Sequence, residues 1–259
     1  MGIERWKLTA VVLRTVDYGE SDRVVTLLSR ERGKVSAFAR GARASRRRFG
    51  GALEPFTLVA AEVRSRSASE LLGLESAAVL QGHGGIRGDL ARIACAAYAA
   101  EVARELVRDH EPHDDLYQLL VEYLGLIDRA PARPAALRAF ELGALAAAGL
   151  APRLDACARC GGELDRSARA VRFDPDQGGL LCAGCGAAAP PGAPLLSRAG
   201  ADALARLQAG GLAAASAEPL PSPAGRELRE ALGAFLAHHL GKTLAARRFL
   251  DEIGPVLDG

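Results

Sequence analysis

Two cysteine pairs constrain this chain more than any other feature of its sequence. Cys157-Ala158-Arg159-Cys160-Gly161 and Cys182-Ala183-Gly184-Cys185-Gly186 are knuckles separated by 21 residues. Two-residue spacing brings both sulfurs of a pair to one point, and four thiolates so placed close a tetrahedral zinc site. Glycine after the second cysteine of each pair allows the sharp turn that lets backbone amides approach the sulfurs. Because sulfur takes all four positions, none is left for water, and the expectation is one structural Zn2+ rather than a catalytic metal. Disulfides and four unrelated thiols are the other readings of these residues; a reducing compartment disfavours disulfides. Between the pairs, Ala170 to Phe173 and Gly179 to Leu181 flank Asp174-Pro175-Asp176-Gln177-Gly178, which reads as strand, turn, strand. The fifth cysteine, Cys95, lies among Ala94, Ala96 and Ala97 and reads as a core thiol.

The rest of the chain falls into two styles. From Lys7 to about Glu75, runs rich in Val, Leu, Thr and Phe alternate with polar or glycine-containing turns. The expected strands are Leu8 to Val16, Arg23 to Ser29, Lys34 to Ala39, Phe56 to Arg64 and Glu70 to Leu74. So many short strands in so short a segment indicate a small closed or partly open barrel. An OB-fold is one solution and an SH3-like barrel fits the same pattern. After Gly82-His83-Gly84-Gly85, which lacks the Lys and Ser/Thr of a phosphate-binding loop and reads as an interdomain hinge, the hydrophobic period changes from two to about 3.6. Helices are expected over Ile86 to Arg108, His113 to Asp128, Pro134 to Ala148, Ser197 to Gln208 and Pro223 to Leu240, with a Gly/Ala/Pro-rich linker from Ala209 to Pro221. The fold class is therefore α+β: a barrel domain at 1–80 and a helical domain at 81–259, with the cysteine lobe at about 153–190. No apolar run nears the roughly 18 residues of a membrane span, and no signal-peptide pattern opens the chain, so a cytoplasmic location is expected.

Charge is unevenly shared. The whole chain carries 33 basic and 31 acidic side chains, but residues 1–80 hold 14 against 9. Within the nineteen residues from Arg30 to Arg48, the eight cations Arg30, Arg32, Lys34, Arg40, Arg43, Arg46, Arg47 and Arg48 are opposed only by Glu31. Thirty of the 33 basic residues are Arg, a choice that a GC-rich coding bias would also produce; such a bias does not explain where they cluster. A charge run is often merely a solvated face. Here Lys34 and Arg40 bracket a strand, and Gly41 to Arg48 forms a loop whose cations gain nothing from a core, an arrangement suited to tracking a phosphate backbone. Lys34, Arg40, Arg43, Arg46, Arg47 and Arg48 are the candidate DNA-binding residues. Phe38 either packs inward or faces out to stack on a base.

Three function classes compete. A non-enzymatic DNA-binding protein uses the basic segment directly. A zinc-ribbon nuclease or RNA-modifying enzyme needs clustered carboxylates, and Asp17, Glu20 and Asp22 are the nearest, in a segment that also reads as an ordinary turn. A zinc-ribbon adaptor that only binds proteins would need neither. Four of the five histidines, His110, His113, His238 and His239, read as surface or capping groups.

The residues also carry a resemblance. Val11-Val12-Leu13-Arg14, Asp17-Tyr18-Gly19-Glu20-Ser21-Asp22-Arg23, Gly33-Lys34-Val35, Ala39-Arg40-Gly41-Ala42-Arg43, Gly51-Ala52-Leu53-Glu54-Pro55-Phe56, both knuckles with Gly178-Gly179-Leu180-Leu181-Cys182, His239-Leu240-Gly241-Lys242 and Arg247-Arg248-Phe249-Leu250 together resemble the bacterial RecO family of DNA repair and recombination mediators. The resemblance spans nearly the whole chain. It implies an N-terminal OB-fold, a helical domain with the zinc lobe inserted in it, and no catalytic site. It further implies binding of single- and double-stranded DNA, annealing of complementary strands, and work with RecR to load RecA onto DNA coated with single-stranded-DNA-binding protein. The acidic, hydrophobic tail of that coating protein is implied as a ligand of the helical domain. By position, the family's basic surface falls on Lys34, Arg40 and Arg43, with Arg46 to Arg48 beside it. Ala245-Ala246 depart from the more polar pair expected before Arg247. Some relatives lack the cysteines, which implies a scaffolding rather than a mechanistic metal.

Overall fold

The computed structural model describes residues 3–66, 69–217 and 220–257. Strands β1 (Arg5–Tyr18), β2 (Asp22–Ser29), β3 (Gly33–Ala39), β4 (Leu58–Arg66) and β5 (Ser69–Gln81) form a closed barrel in the order β1-β2-β3-β5-β4, with a short helix α1 (Arg46–Phe49) between β3 and β4. The alternation that marks β3 in the sequence is realised in space. Val35, Ala37 and Ala39 are buried, whereas Lys34, Ser36 and Phe38 face outward. Leu8, Val12, Leu27 and Val63 fill the interior, and small residues such as Ala10 and Ala61 let the strands curl closely around it. Phe49 of α1 is buried in the same core.

All strand pairings are antiparallel except β3 with β5, which run parallel through Ala37 opposite Leu72 and Phe38 opposite Gly73. That closure gives the OB-fold and removes the SH3-like alternative. The last strand runs seven residues past its expected end at Leu74, because Ser76 to Gln81 pair with the start of β4.

Helices α2 (Gly84–Arg87), α3 (Leu90–Leu106) and α4 (Asp114–Arg129) belong to the same compact unit as the barrel, which extends to Pro131. The Asp89 carboxylate caps α3 by accepting from the Arg92 amide at 2.9 Å. Alanines on α3 allow close packing against Leu116, Leu120 and Tyr123 of α4, and Cys95 is buried among them as a core thiol. The expected hinge at Gly82 to Gly85 is instead pinned within this unit. Asp128 Oδ1 accepts from the amides of Gly85 at 2.8 Å and Ile86 at 3.3 Å, and Arg87 donates to Thr57 Oγ1 at 2.8 Å.

The second unit starts at Ala132. Its central helix α5 (Pro134–Ala147) begins with the expected proline and is buried on almost every side, including a buried ion pair between Arg138 and Glu141 at 3.0 Å. Strands β6 (Ala170–Asp174), β7 (Gly179–Leu181) and β8 (Leu195–Ser197) make a sheet in the order β7-β6-β8, with α6 (Ala183–Ala187) after β7. Phe173 of β6 packs edge-on against Phe235 of α8 (Ala224–Leu240), ring centres 5.6 Å apart. The segment read as a linker from Ala209 corrects to helix. Helix α7 (Arg198–Ala217) continues through it with one break at Gly211, because alanine favours helix and Leu212 and Ala215 find burial. A further helix, α9 (Ala245–Leu257), follows. Among the described residues no helix is long and apolar enough to cross a membrane.

Candidate nucleic-acid interface and metal centre

The basic segment leaves the barrel at the end of β3 and is laced to the β1–β2 turn. Asp22 Oδ1 accepts from the Gly41 amide at 2.7 Å, the Arg43 amide donates to Ser21 O at 3.0 Å, and the Arg43 guanidinium donates to Glu20 O at 3.1 Å. These bonds fix the loop as a platform. Arg48 is held further: Nε donates to Ser45 Oγ at 3.0 Å, another guanidinium nitrogen to Arg40 O at 2.6 Å, and its plane lies 4.8 Å from the Phe49 ring centre. Arg40, Arg43, Arg46, Arg47 and Arg48 are all exposed.

Two depressions flank this segment. One, of about 450 Å³, is lined by Arg23, Arg43, Arg46 and Glu54 among others. The other, of about 710 Å³, is lined by Phe38, Arg40, Arg48, Arg64, Gly73 and Glu75 with two more residues. Arg64 and Gly73 were not anticipated from the sequence; they reach the groove because β5 pairs with β3 and β4 pairs with β5. Arg64 is partly neutralised by Glu75 at 3.0 Å.

Lys34 is not brought to this surface. It stands at the opposite end of β3 from Arg40, about 20 Å along the strand. Its side chain is only 16% exposed, its ammonium donates to Arg104 O at 2.8 Å, and it pairs with Asp109 at 3.3 Å. The carbonyl it meets is one of those left unpaired at the C-terminal end of α3. Lys34 thus fastens the barrel to α3 rather than facing solvent.

The carboxylates considered for a metal-dependent enzyme do not converge. Asp17 pairs with Arg23 at 3.0 Å, Asp22 is a backbone cap, and among the described residues the only group of three or more metal-ligating side chains is the four cysteines.

Those cysteines meet as their spacing requires. The sulfurs of Cys157, Cys160, Cys182 and Cys185 lie within 4.8 Å of one another, and those of Cys160 and Cys182 are 3.8 Å apart. Four sulfurs at about 2.3 Å from one zinc ion stand about 3.8 Å apart, so the set fits that ion. The first knuckle closes by the Gly161 amide donating to Cys157 O at 2.9 Å, with Gly161 at φ +74° as its turn demands. The Gly186 amide closes the second knuckle in the same way, donating to Cys182 O at 2.7 Å, but Gly186 lies inside α6 and needs no positive φ. Burial pushes the Cys157 thiol up, but the amides of Cys160, Cys182 and Arg159 and the Cys160 thiol outweigh it and bring it to about 6. Cys185 is pushed up to about 12, first by its hydrogen bonds with Cys182 and Cys160 and further by burial and the Cys157 charge. One thiolate forms readily and a neighbour resists ionising beside it; a divalent cation held by the four sulfurs would let them ionise together.

Comparison with known proteins matches both halves of the chain. Family models described as the N-terminal and C-terminal parts of recombination protein O match residues 1–83 and 87–248. The DNA repair protein RecO of Anaeromyxobacter sp. (strain Fw109-5) is 72% identical over 254 residues, 98% of each chain. That of Myxococcus xanthus (strain DK1622) is 44% identical over 252 residues, 97% of this chain and 99% of its own. That of Geobacter sulfurreducens (strain ATCC 51573 / DSM 12127 / PCA) is 46% identical over 178 residues, 68% of this chain and 71% of its own.

Proposed function

The chain belongs to the RecO family, and from that membership we propose that it is a non-enzymatic recombination mediator of DNA repair in the bacterial cytoplasm, at the nucleoid. It binds single- and double-stranded DNA through Arg40, Arg43, Arg46, Arg47 and Arg48, anneals complementary strands, and helps RecR load RecA onto DNA coated with single-stranded-DNA-binding protein, whose acidic tail docks on the helical unit. The observation that carries this reading is a row of exposed arginines on a fixed loop beside the groove of an OB-type barrel, with no cluster of three or more carboxylates near it among the described residues.

Such a surface contributes through counterion release, so its grip is strong at low salt and tolerant of sequence. Annealing follows from the same physics. Two strands repel through their phosphates over about a Debye length, and a cationic platform that screens both while leaving base edges free lowers that barrier. Guanidinium groups suit the task because they bind phosphate oxygens in a bidentate fork. Cys157, Cys160, Cys182 and Cys185 would hold one Zn2+, which folds the lobe and takes no part in turnover.

The test is oligonucleotide binding and annealing by the zinc-loaded protein across a salt series. If about five phosphates are neutralised on a single strand, log affinity falls against log salt with a slope near −3.5. An affinity independent of salt removes the proposal.

A further inference from the structure

The four residues of the cysteine centre differ in their access to solvent. Cys157 is fully buried, Cys182 and Cys185 are partly covered, and Cys160 is exposed. Nothing bulky stands in either knuckle beside it. Gly161 and Gly162 follow Cys160, Ala183 and Gly184 lie between Cys182 and Cys185, and all four are exposed. A Cβ at position 162 would stand 3.4 Å from Cys160 Sγ, in van der Waals contact with it, so glycine there leaves one side of the sulfur uncovered. The backbone does not require that glycine, because its φ is not positive. Cys160 and Cys182 come from different knuckles, and their sulfurs are 3.8 Å apart. A disulfide needs about 2.05 Å, so a closure of about 1.8 Å would join them. Cys157 is less free to move, since its sulfur accepts from the amides of Cys160, Cys182 and Arg159.

We propose that Cys160 is an oxidation site at which hydrogen peroxide joins it to Cys182, so that a reversible disulfide between the knuckles replaces the bound ion. This rests on the reading that the four cysteines hold Zn2+. The Cys160 thiolate attacks one peroxide oxygen; an S–O bond forms, the O–O bond breaks, and hydroxide leaves a sulfenic acid on Cys160. The Cys182 thiolate then attacks that sulfur, forming the S–S bond and expelling a second hydroxide. Two thiolates and one peroxide thus give one disulfide and two hydroxides, the sulfur pair losing the two electrons that peroxide gains. Cys157 and Cys185 alone cannot close a four-sulfur site, and the ion is released. The cross-link still ties the two knuckles together, so the lobe keeps its closure while losing its metal. In a reducing compartment such a bond is transient, and thiols restore the site.

The test treats the full-length, zinc-loaded protein with hydrogen peroxide. A chromogenic metal indicator follows released zinc, and peptide mass spectrometry without reductant maps the disulfide. The expected result is one zinc released for each disulfide formed, a Cys160–Cys182 link, an unmodified Cys95 in its buried position, and recovery of bound zinc after dithiothreitol and added Zn2+. Gly162→Val, which covers the open side of Cys160 without altering a ligand, is expected to bind zinc fully and to release it severalfold more slowly. The wild-type protein alone carries the disulfide test if that variant fails to load. Zinc retained under peroxide, links confined within each knuckle, or a fully loaded Gly162→Val variant that releases zinc as fast as the wild type overturns the oxidation site and leaves the metal assignment standing. A folded protein that holds no zinc before oxidation overturns the metal assignment, and this proposal falls with it.

Discussion

Replacing Lys34 by Met distinguishes a structural cation from a DNA-binding one. The Lys34 ammonium reaches Arg104 O at 2.8 Å, and that carbonyl lies in the last turn of α3, where the helix supplies no partner of its own. Removing the donor costs about 1.5 kcal/mol for a hydrogen bond to a charged group. Loss of the favourable charge at the negative end of the helix adds about 0.5 kcal/mol. The pair with Asp109 adds little, since that aspartate is 64% exposed and solvent screens it. The sum, about 2 kcal/mol, lowers the urea midpoint by about 1 M at a slope near 2 kcal/mol/M. Methionine keeps the apolar stem, so the loss is polar rather than steric. Urea unfolding followed by circular dichroism reads the stability, and oligonucleotide binding in the same buffer reads function. The expected outcome is a destabilised protein whose folded fraction binds DNA with wild-type affinity and salt slope. Undiminished stability together with a tenfold loss of DNA affinity refutes this assignment and returns Lys34 to the binding surface.

Other outcomes follow from the same geometry. Cys160→Ala leaves three sulfurs for the ion; zinc analysis is expected to show well under one equivalent, and amide exchange to show a loosened segment around both knuckles. A full equivalent of tightly held zinc contradicts this. Gly33→Ala places a methyl group 1.9 Å from Glu111 O at φ +63°, which forces the backbone apart and costs about 3 kcal/mol or more; a thermal transition equal to wild type sinks that estimate. Because Asp22 serves as a cap for Gly41, incubation with magnesium and DNA should yield no cleavage. Nuclease activity that disappears in Asp22→Ala reopens the enzymatic reading.

What the sequence disclosed was what local pattern controls. The period of two in β3 and the period of 3.6 in α4 located those elements to within about a residue, since one buried face leaves its mark on every turn of the chain. The cysteine centre was legible because ligand spacing alone imposes it. The barrel's closure was not, since it depends on Ala37 meeting Leu72 and Phe38 meeting Gly73, contacts between segments with no mutual pattern in the sequence. Arg64 and Gly73 went unnoticed for that reason. Lys34 was misleading in the opposite sense. It lies within a basic run, but its neighbour in space is the end of α3, some seventy positions away in the chain. Ala209 to Ala217 looked like a linker because glycine and alanine dominate it, yet burial of Leu212 and Ala215 holds most of it in a helix.

The most direct measurement is the salt dependence of single-strand affinity for the protein with Arg40, Arg46 and Arg47 all changed to Gln, set beside the wild type. Three fewer neutralised phosphates flatten the slope of log affinity against log salt by about 2, with stability preserved because all three side chains are exposed. A folded variant whose slope and affinity match the wild type contradicts the account.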